Sequence, residues 1–303
     1  LHRRGFLSAA GGALAAGIAA TAHAGPFGRR RTYRTAWPKA AVNGNINHSV
    51  CHWCFTSDSS CDPMTLEELF AFSRQIGIKS VELVDVEHWD LLKKYGLVCA
   101  MSNSHGFVRG FCNPENHSYC IDILKKQIDL NAEAGFPNVI TFSGFEDGIP
   151  RDVGLENCIA GLKKVVGYAE KKKVNLIFEL LNSRVDVPMK GHPGYMGDNV
   201  EWCVEMIKGV GSERLKLLFD VYHVQVMQGD VITRIKENKD YIGHYHTAGC
   251  PGRNEMDDTQ ELNYEAIMKV VAETGFDGYV GHEFIPTRTP RKSLWEAVRL
   301  CDA

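Results

Sequence analysis

Gly243-His-Tyr-His-Thr-Ala-Gly-Cys-Pro-Gly-Arg-Asn-Glu255 is half strand and half loop. Its first half alternates as a strand does, so His244 and His246 share one face. Its second half breaks at Gly249, Pro251 and Gly252, residues of turn chemistry. An imidazole at a strand end, followed by a loop carrying Arg253, makes a corner suited to a metal and an anion. Three other apolar runs close in a similar way. Val174-Asn-Leu-Ile-Phe-Glu179 and Tyr279-Val-Gly-His-Glu283 each end on a carboxylate. Leu215-Lys-Leu-Leu-Phe-Asp220 does the same, with His223 three residues on.

Outward from these runs, strand and helix patterns alternate. Strands are expected over 46–50, 80–84, 97–102, 138–143, 174–179, 215–220, 242–246 and 278–283. Helices are expected from Thr65 to near Gly77, then over 89–95, 119–134, 155–172, 199–210, 230–238, 264–274 and 293–301. Thr65 with Glu68 three residues later forms a capping box, and Gly77 suits a helix C-cap. Near-continuous apolar strands fit a parallel sheet buried on both faces. Eight strand–helix units over 45–303 fit an α/β protein, a single-domain (β/α)8 TIM barrel of roughly 250 residues. A doubly wound open sheet is the other arrangement with this pattern. No Gly-x-Gly-x-x-Gly follows any strand, which removes the dinucleotide-binding form of it.

The 303 residues carry a formal net charge of -3, with 44% hydrophobic and 23% charged residues. That balance is ordinary for a soluble globular chain, and it lacks the basic face a nucleic-acid partner needs. Residues 1–24 read as an export signal. Arg3-Arg4 with Phe6-Leu7 precedes a small apolar run, and Ala22-His-Ala24 fits a cleavage site. This is a twin-arginine pattern and implies a periplasmic or otherwise exported protein, with no membrane segment in its mature form. Residues 25–44, which include Arg29-Arg-Arg31, read as a surface extension. Ten cysteines are present, and Cys51-x-x-Cys54 has no second CxxC to complete a zinc site. They read as small buried residues, with an occasional disulfide open to an exported chain. The sequence leaves a homo-oligomer open and locates no interface.

Glu179, Asp220, His246 and Glu283 close four consecutive strands, each about one strand–helix unit from the next. In a barrel, such ends converge on the active-site face. Three clustered carboxylates repel one another unless a cation or shared protons intervene. One divalent ion is therefore expected, and Mn²⁺, Mg²⁺, Co²⁺ and Zn²⁺ all suit three oxygens and an imidazole. His223 is placed to hold a substrate oxygen. Arg253 is placed to grip a substrate carboxylate or to pair with Glu255. Glu82, at the end of strand two, is placed to orient substrate or a ligand, or to form a structural ion pair. His105, just past strand three, is a further candidate for substrate contact. His244, one pleat deeper than His246, reads as a core histidine. Trp53, Trp89 and Phe107 are placed either to wall the pocket or to pack.

The chain resembles the xylose isomerase-like barrel superfamily over about residues 45–301. The motifs are Ser80-Val-Glu-Leu83, Phe178-Glu-Leu-Leu-Asn182, Phe219-Asp-Val-Tyr-His223, the stretch from His244 to Glu255, Glu261-Leu-Asn-Tyr264 and Tyr279-Val-Gly-His-Glu-Phe284. Pro-Gly-Arg-x-Glu followed by Glu-Leu-x-Tyr points to the hydroxypyruvate isomerase branch, with the ketose 3-epimerases nearby. That branch often carries Gln where this chain has His246, and the epimerases carry His. The resemblance implies that Glu179, Asp220, His246 and Glu283 are metal ligands, with Glu179 and Glu283 doubling as the acid/base pair. It implies an isomerase acting on a small sugar or keto acid through an enediolate, most directly hydroxypyruvate to tartronate semialdehyde. Alternatives on the same barrel are a ketose 3-epimerase or other sugar isomerase, an exported sugar-binding protein without catalysis, and an endonuclease IV-like repair enzyme. The charge balance and export signal disfavour the last.

Overall fold

The computed structural model describes residues 37–57 and 60–303. The expected signal at 1–24 and most of the extension lie outside the described residues. The described end of that extension is not a loose surface strand. Ala40 is buried, its N–H donates to Ile76 O, and the N–H groups of Val42 and Asn43 donate to the Asp302 carboxylate.

Seven parallel strands form one sheet: β1 (Asn47–Cys51), β2 (Ser80–Glu82), β3 (Asn138–Thr141), β4 (Asn175–Glu179), β5 (Leu215–Asp220), β6 (Ile242–Thr247) and β7 (Tyr279–His282). Their order is β2-β1-β7-β6-β5-β4-β3. The strand expected over 97–102 shrinks to two bridges, Ser80 with Val98 and Ser102 with Val139, which stitch the edge strands β2 and β3 together. The reason lies in two side chains. Ser80 Oγ accepts from Ala100 N–H at 2.9 Å, and Asn138 Nδ2 donates to Ala100 O at 2.7 Å. The backbone of Ala100 is thus satisfied without a ladder, as a buried peptide group must be.

Among the described residues, ten helices accompany the sheet: α1 (Trp53–Thr56), α2 (Leu66–Ile76), α3 (Trp89–Lys94), α4 (His117–Ala134), α5 (Arg151–Lys172), α6 (Val200–Val210), α7 (Val221–Met227), α8 (Val231–Asn238), α9 (Tyr264–Glu273) and α10 (Pro290–Cys301). The capping box on α2 forms as the sequence indicates, with Gly77 at φ 95° as its C-cap. Helix α7 is not evident in the sequence pattern. It starts because the Asp220 carboxylate accepts from the N–H groups of Tyr222 and His223, so one residue ends a strand and caps a helix. All ten cysteines are free thiols, and only Cys61 is exposed.

Strand register separates the inner face from the outer. Ser49 lies beside Ser80 and Gly281, Cys51 beside Glu82, His246 beside Asp220 and Gly281, and His244 beside Leu218. Laterally paired residues share a face of a sheet. The interior is therefore split. On β1, β2, β6 and β7 it carries Ser49, Ser80, Glu82, His244 and His246. On β3, β4 and β5 it carries Ile140, Ile177 and Leu218, which join Met101, Phe142, Leu181 and Tyr195 in an apolar cluster apart from the main core.

Above the apolar half, residues 110 and 144 bring two loops into backbone contact. A Cβ on Gly110 would lie 2.1 Å from Gly144 N. Gly110→Ala should therefore destabilise the fold by about 1–3 kcal/mol through overpacking against backbone that cannot yield, read as a shift in the urea midpoint at constant slope.

Candidate metal centre and reaction cavity

Glu179 ends β4, Asp220 ends β5, His246 lies one residue from the end of β6, and Glu283 follows β7 directly. One ligand atom from each lies within 4.8 Å of all the others, and all four residues are buried. His246 Nδ1 is 2.8 Å from Glu283 Oε2 and 3.8 Å from Glu179 Oε1. Despite that closeness, Nδ1 has no partner in hydrogen-bonding alignment. Its other nitrogen, Nε2, is 3.2 Å from Glu82 Oε2. An ionised carboxylate only accepts, so that contact places the proton on Nε2. A ring neutral at Nδ1 then turns that lone pair toward carboxylate oxygens, which is repulsive unless a proton or a metal cation lies between.

Arg253 reaches the same cluster. Its Nη2 donates to Glu283 Oε2 and lies 3.4 Å from Asp220 Oδ2, while Nη1 donates to Met189 O at 2.8 Å. Its guanidinium also lies near the Trp53 and Tyr222 rings. Three carboxylates against one guanidinium leave two negative charges. A divalent ion would balance them with His246 neutral, so the donor set fits a divalent metal.

Proton affinities in the metal-free protein reflect this shortage of positive charge. Burial, then Glu283, pushes the Glu179 carboxyl well above its usual range. Burial raises Asp220 as well, against the pull of Arg253. Burial would raise Glu283 too, but His246 and Arg253 hold it well below. Burial opposes the charged form of His246, yet Glu283 and Glu82 outweigh it and raise that ring well above its ordinary value. His223 goes the other way. Burial, then Arg253 and His192, keeps it neutral. Its Nδ1 accepts from Asn182 N–H at 3.0 Å, which leaves Nε2 as a donor without a hydrogen-bond partner, 3.6 Å from Asp220 Oδ2.

Glu179, Glu283 and Arg253 open onto a cavity of about 280 Å³. Trp53 lines it and donates from Nε1 to Glu283 Oε1 at 3.0 Å. Leu83, Phe107, Ile140, Phe142 and Leu181 form much of the remaining wall, with Asn103, Ser104, Met189 and His192 completing it. Six described non-glycine residues have positive φ, and three of them, Leu83, Met189 and Arg253, lie on this wall. Strained backbone of this kind concentrates at sites where it aims a side chain.

The structure decides between several of the placements open in the sequence and takes His105 off the cavity wall. Glu82 does not reach the cavity wall; it is fully buried behind His246 and pairs with His244 Nε2 at 2.8 Å. His105 is also off the wall. Its Nδ1 faces Arg109 O at 2.7 Å and its Nε2 faces Thr141 Oγ1 at 2.9 Å, so both ring nitrogens are engaged within the protein. Arg253 does not pair with Glu255, whose carboxylate accepts instead from Thr287, Arg288 N–H and Ser293. Trp89 packs in the core and donates to Val84 O. Asn182, Met189 and His192 were missed. Asn182 ends a motif visible in the sequence, whereas the other two sit on an irregular loop with no periodic signal.

Carboxylates and an imidazole gathered at strand ends of a parallel barrel define an α/β barrel with a metal-type centre. The chain belongs to the xylose isomerase-like TIM barrel family, whose model matches residues 70–301. It is 33% identical over 142 residues to a 2-oxo-tetronate isomerase of Cupriavidus necator, covering 46% of this chain and 52% of that one. It is 29% identical over 136 residues to the hydroxypyruvate isomerase of Escherichia coli, covering 45% and 50%. The chain thus spans about half the length of these curated relatives. Among solved structures, a family 2 AP endonuclease from Brucella melitensis shares the fold, with TM-score 0.69 and 22% identity over 82% of this chain and 97% of that one.

Metal ligands must be deprotonated to bind. His246 and Glu179 both hold protons too firmly in the metal-free protein, so binding should release protons and weaken as pH falls. Titration with Mn²⁺ at about pH 8 and about pH 6 should show tighter binding at the higher pH, with the heat depending on the buffer's ionisation enthalpy. Asp220→Asn should weaken binding at both.

Proposed function

We propose that this protein is a metal-dependent isomerase that moves a proton on an α-hydroxycarbonyl substrate through an enediolate. The observation that carries this reading is geometric: two carboxylates, Glu179 and Glu283, both line the cavity and both belong to the candidate metal centre. A divalent ion bound there would polarise the substrate carbonyl and supply charge against the enediolate.

The chain's own residues supply the rest. One of Glu179 and Glu283 removes the proton and the other governs its return. His223 is fully buried and off the cavity wall, and it turns its Nε2–H toward Asp220 Oδ2 at 3.6 Å. Arg253 offers a guanidinium to a carboxylate, sharing it with Glu283. The apolar wall keeps water from the exchanging proton. Hydroxypyruvate to tartronate semialdehyde is the conversion supported by the names of the relatives and by the Arg253 loop. A second reading, a ketose 3-epimerase or another isomerase of a larger sugar, is favoured by the cavity itself. A cavity of about 280 Å³ has room for more than a three-carbon keto acid.

Solvent deuterium incorporation separates these readings. Metal-loaded protein should exchange a carbon-bound proton of hydroxypyruvate and form tartronate semialdehyde; exchange confined to C3 of a ketose would select the epimerase. Glu179→Gln and Glu283→Gln should each lower exchange by about 10²–10⁴-fold, and wild-type rates in both would overturn the acid/base assignment. We also propose export by the twin-arginine route, supported by Arg3-Arg4 and the run that follows. Residues 1–30 should carry a folded reporter out of the cytoplasm, and changing Arg3 and Arg4 to Lys should retain it inside.

A further inference from the structure

Glu82 is a fully buried carboxylate that touches neither the cavity nor the solvent. Such a group is costly unless it is paired. Its Oε2 lies 3.2 Å from His246 Nε2 and 2.8 Å from His244 Nε2. The contact with His246 has hydrogen-bond geometry, whereas that with His244 is close but out of line. Space for the carboxylate comes from β7, two strands away in the sheet. A Cβ on Gly281 would lie 2.2 Å from Glu82 Oε1 and 2.8 Å from His246 Cδ2. Three strands thus contribute to one arrangement: β2 the carboxylate, β6 the two imidazoles, and β7 the missing side chain.

We infer that Glu82 is the positioning residue of the metal centre. It fixes the proton of His246 on Nε2 and locks the ring so that the Nδ1 lone pair points at Glu179, Asp220 and Glu283. His244 steadies Glu82 from the deeper side. A carboxylate behind a ligating imidazole orients the ring and raises its basicity, and losing one typically costs 10–100-fold in metal affinity. The inference rests on the reading of Glu179, Asp220, His246 and Glu283 as a metal site. Cys51, Glu82 and His246 also come together closely enough to hold an ion of their own. That arrangement would use His246 Nε2, the atom that hydrogen-bonds Glu82, so the two are told apart by which ring nitrogen of His246 binds the ion.

The test is calorimetric titration of the metal-free full chain with Mn²⁺, together with ¹⁵N spectra of the histidine rings in the Zn²⁺-loaded wild type. One ion per chain is expected, with His246 protonated at Nε2 and bound through Nδ1. Glu82→Gln should keep one site and weaken it by about 10–100-fold. Gly281→Ala, which keeps all four ligand side chains but crowds both Glu82 and the His246 ring, should weaken it in the same direction. A Glu82→Gln protein that binds within twofold of wild type would overturn the inference. So would two ions per chain, or a His246 ring bound through Nε2. The ring spectrum decides the matter even where a variant does not fold. A wild type that binds no divalent ion would remove the metal reading itself, a different failure from an unchanged variant.

Discussion

Like charge held out of water is the constraint on which this structure turns. Glu179, Asp220 and Glu283 are brought together where water cannot screen them. Two acidic side chains at such range do not both ionise without compensation. The chain answers with Arg253 from a loop, His246 from the neighbouring strand, and protons held on Glu179. Each answer is partial. The carboxylates remain in excess over the fixed positive charge, and that excess is what makes the cluster receptive to a divalent ion.

The rest of the barrel holds this unstable grouping in place. Asp220 is fixed because it caps α7 while closing β5. Arg253 is aimed inward by a left-handed residue in a tight loop, where Gly249 N–H donates to Asn254 O and Arg253 N–H donates to Gly249 O. Asn182 turns His223 toward Asp220 from the next strand end. The charged groups are thus set by backbone and by buried partners as well as by their contacts with one another.

Much of this could be read from the sequence. A carboxylate that closes an apolar run is visible, because a strand's period fixes the face of its last residue, and four such endings locate one end of a barrel. The third strand was not legible as a pair of bridges, since the side chains of Ser80 and Asn138, distant in sequence, satisfy Ala100 in place of a ladder. Depth was not legible either. Alternation places Glu82 on the interior face but does not say that it lies behind His246, and nothing near His105 shows that Arg109 O and Thr141 would engage both its nitrogens. The apolar wall was hidden for another reason: Ile140, Phe142 and Leu181 look the same in sequence whether they fill a core or face a ligand.

The uneven barrel interior has a consequence for how such a protein can diverge. The ionisable residues of the inner face are concentrated on one arc of staves and the greasy ones on the other, with Glu179 and Asp220 capping the ends of two greasy staves. Drift along the greasy arc would reshape what is admitted while leaving the proton-handling groups untouched. A single ancestral barrel could in this way pass through a succession of substrates without reinventing its chemistry, each change confined to residues that bear no charge.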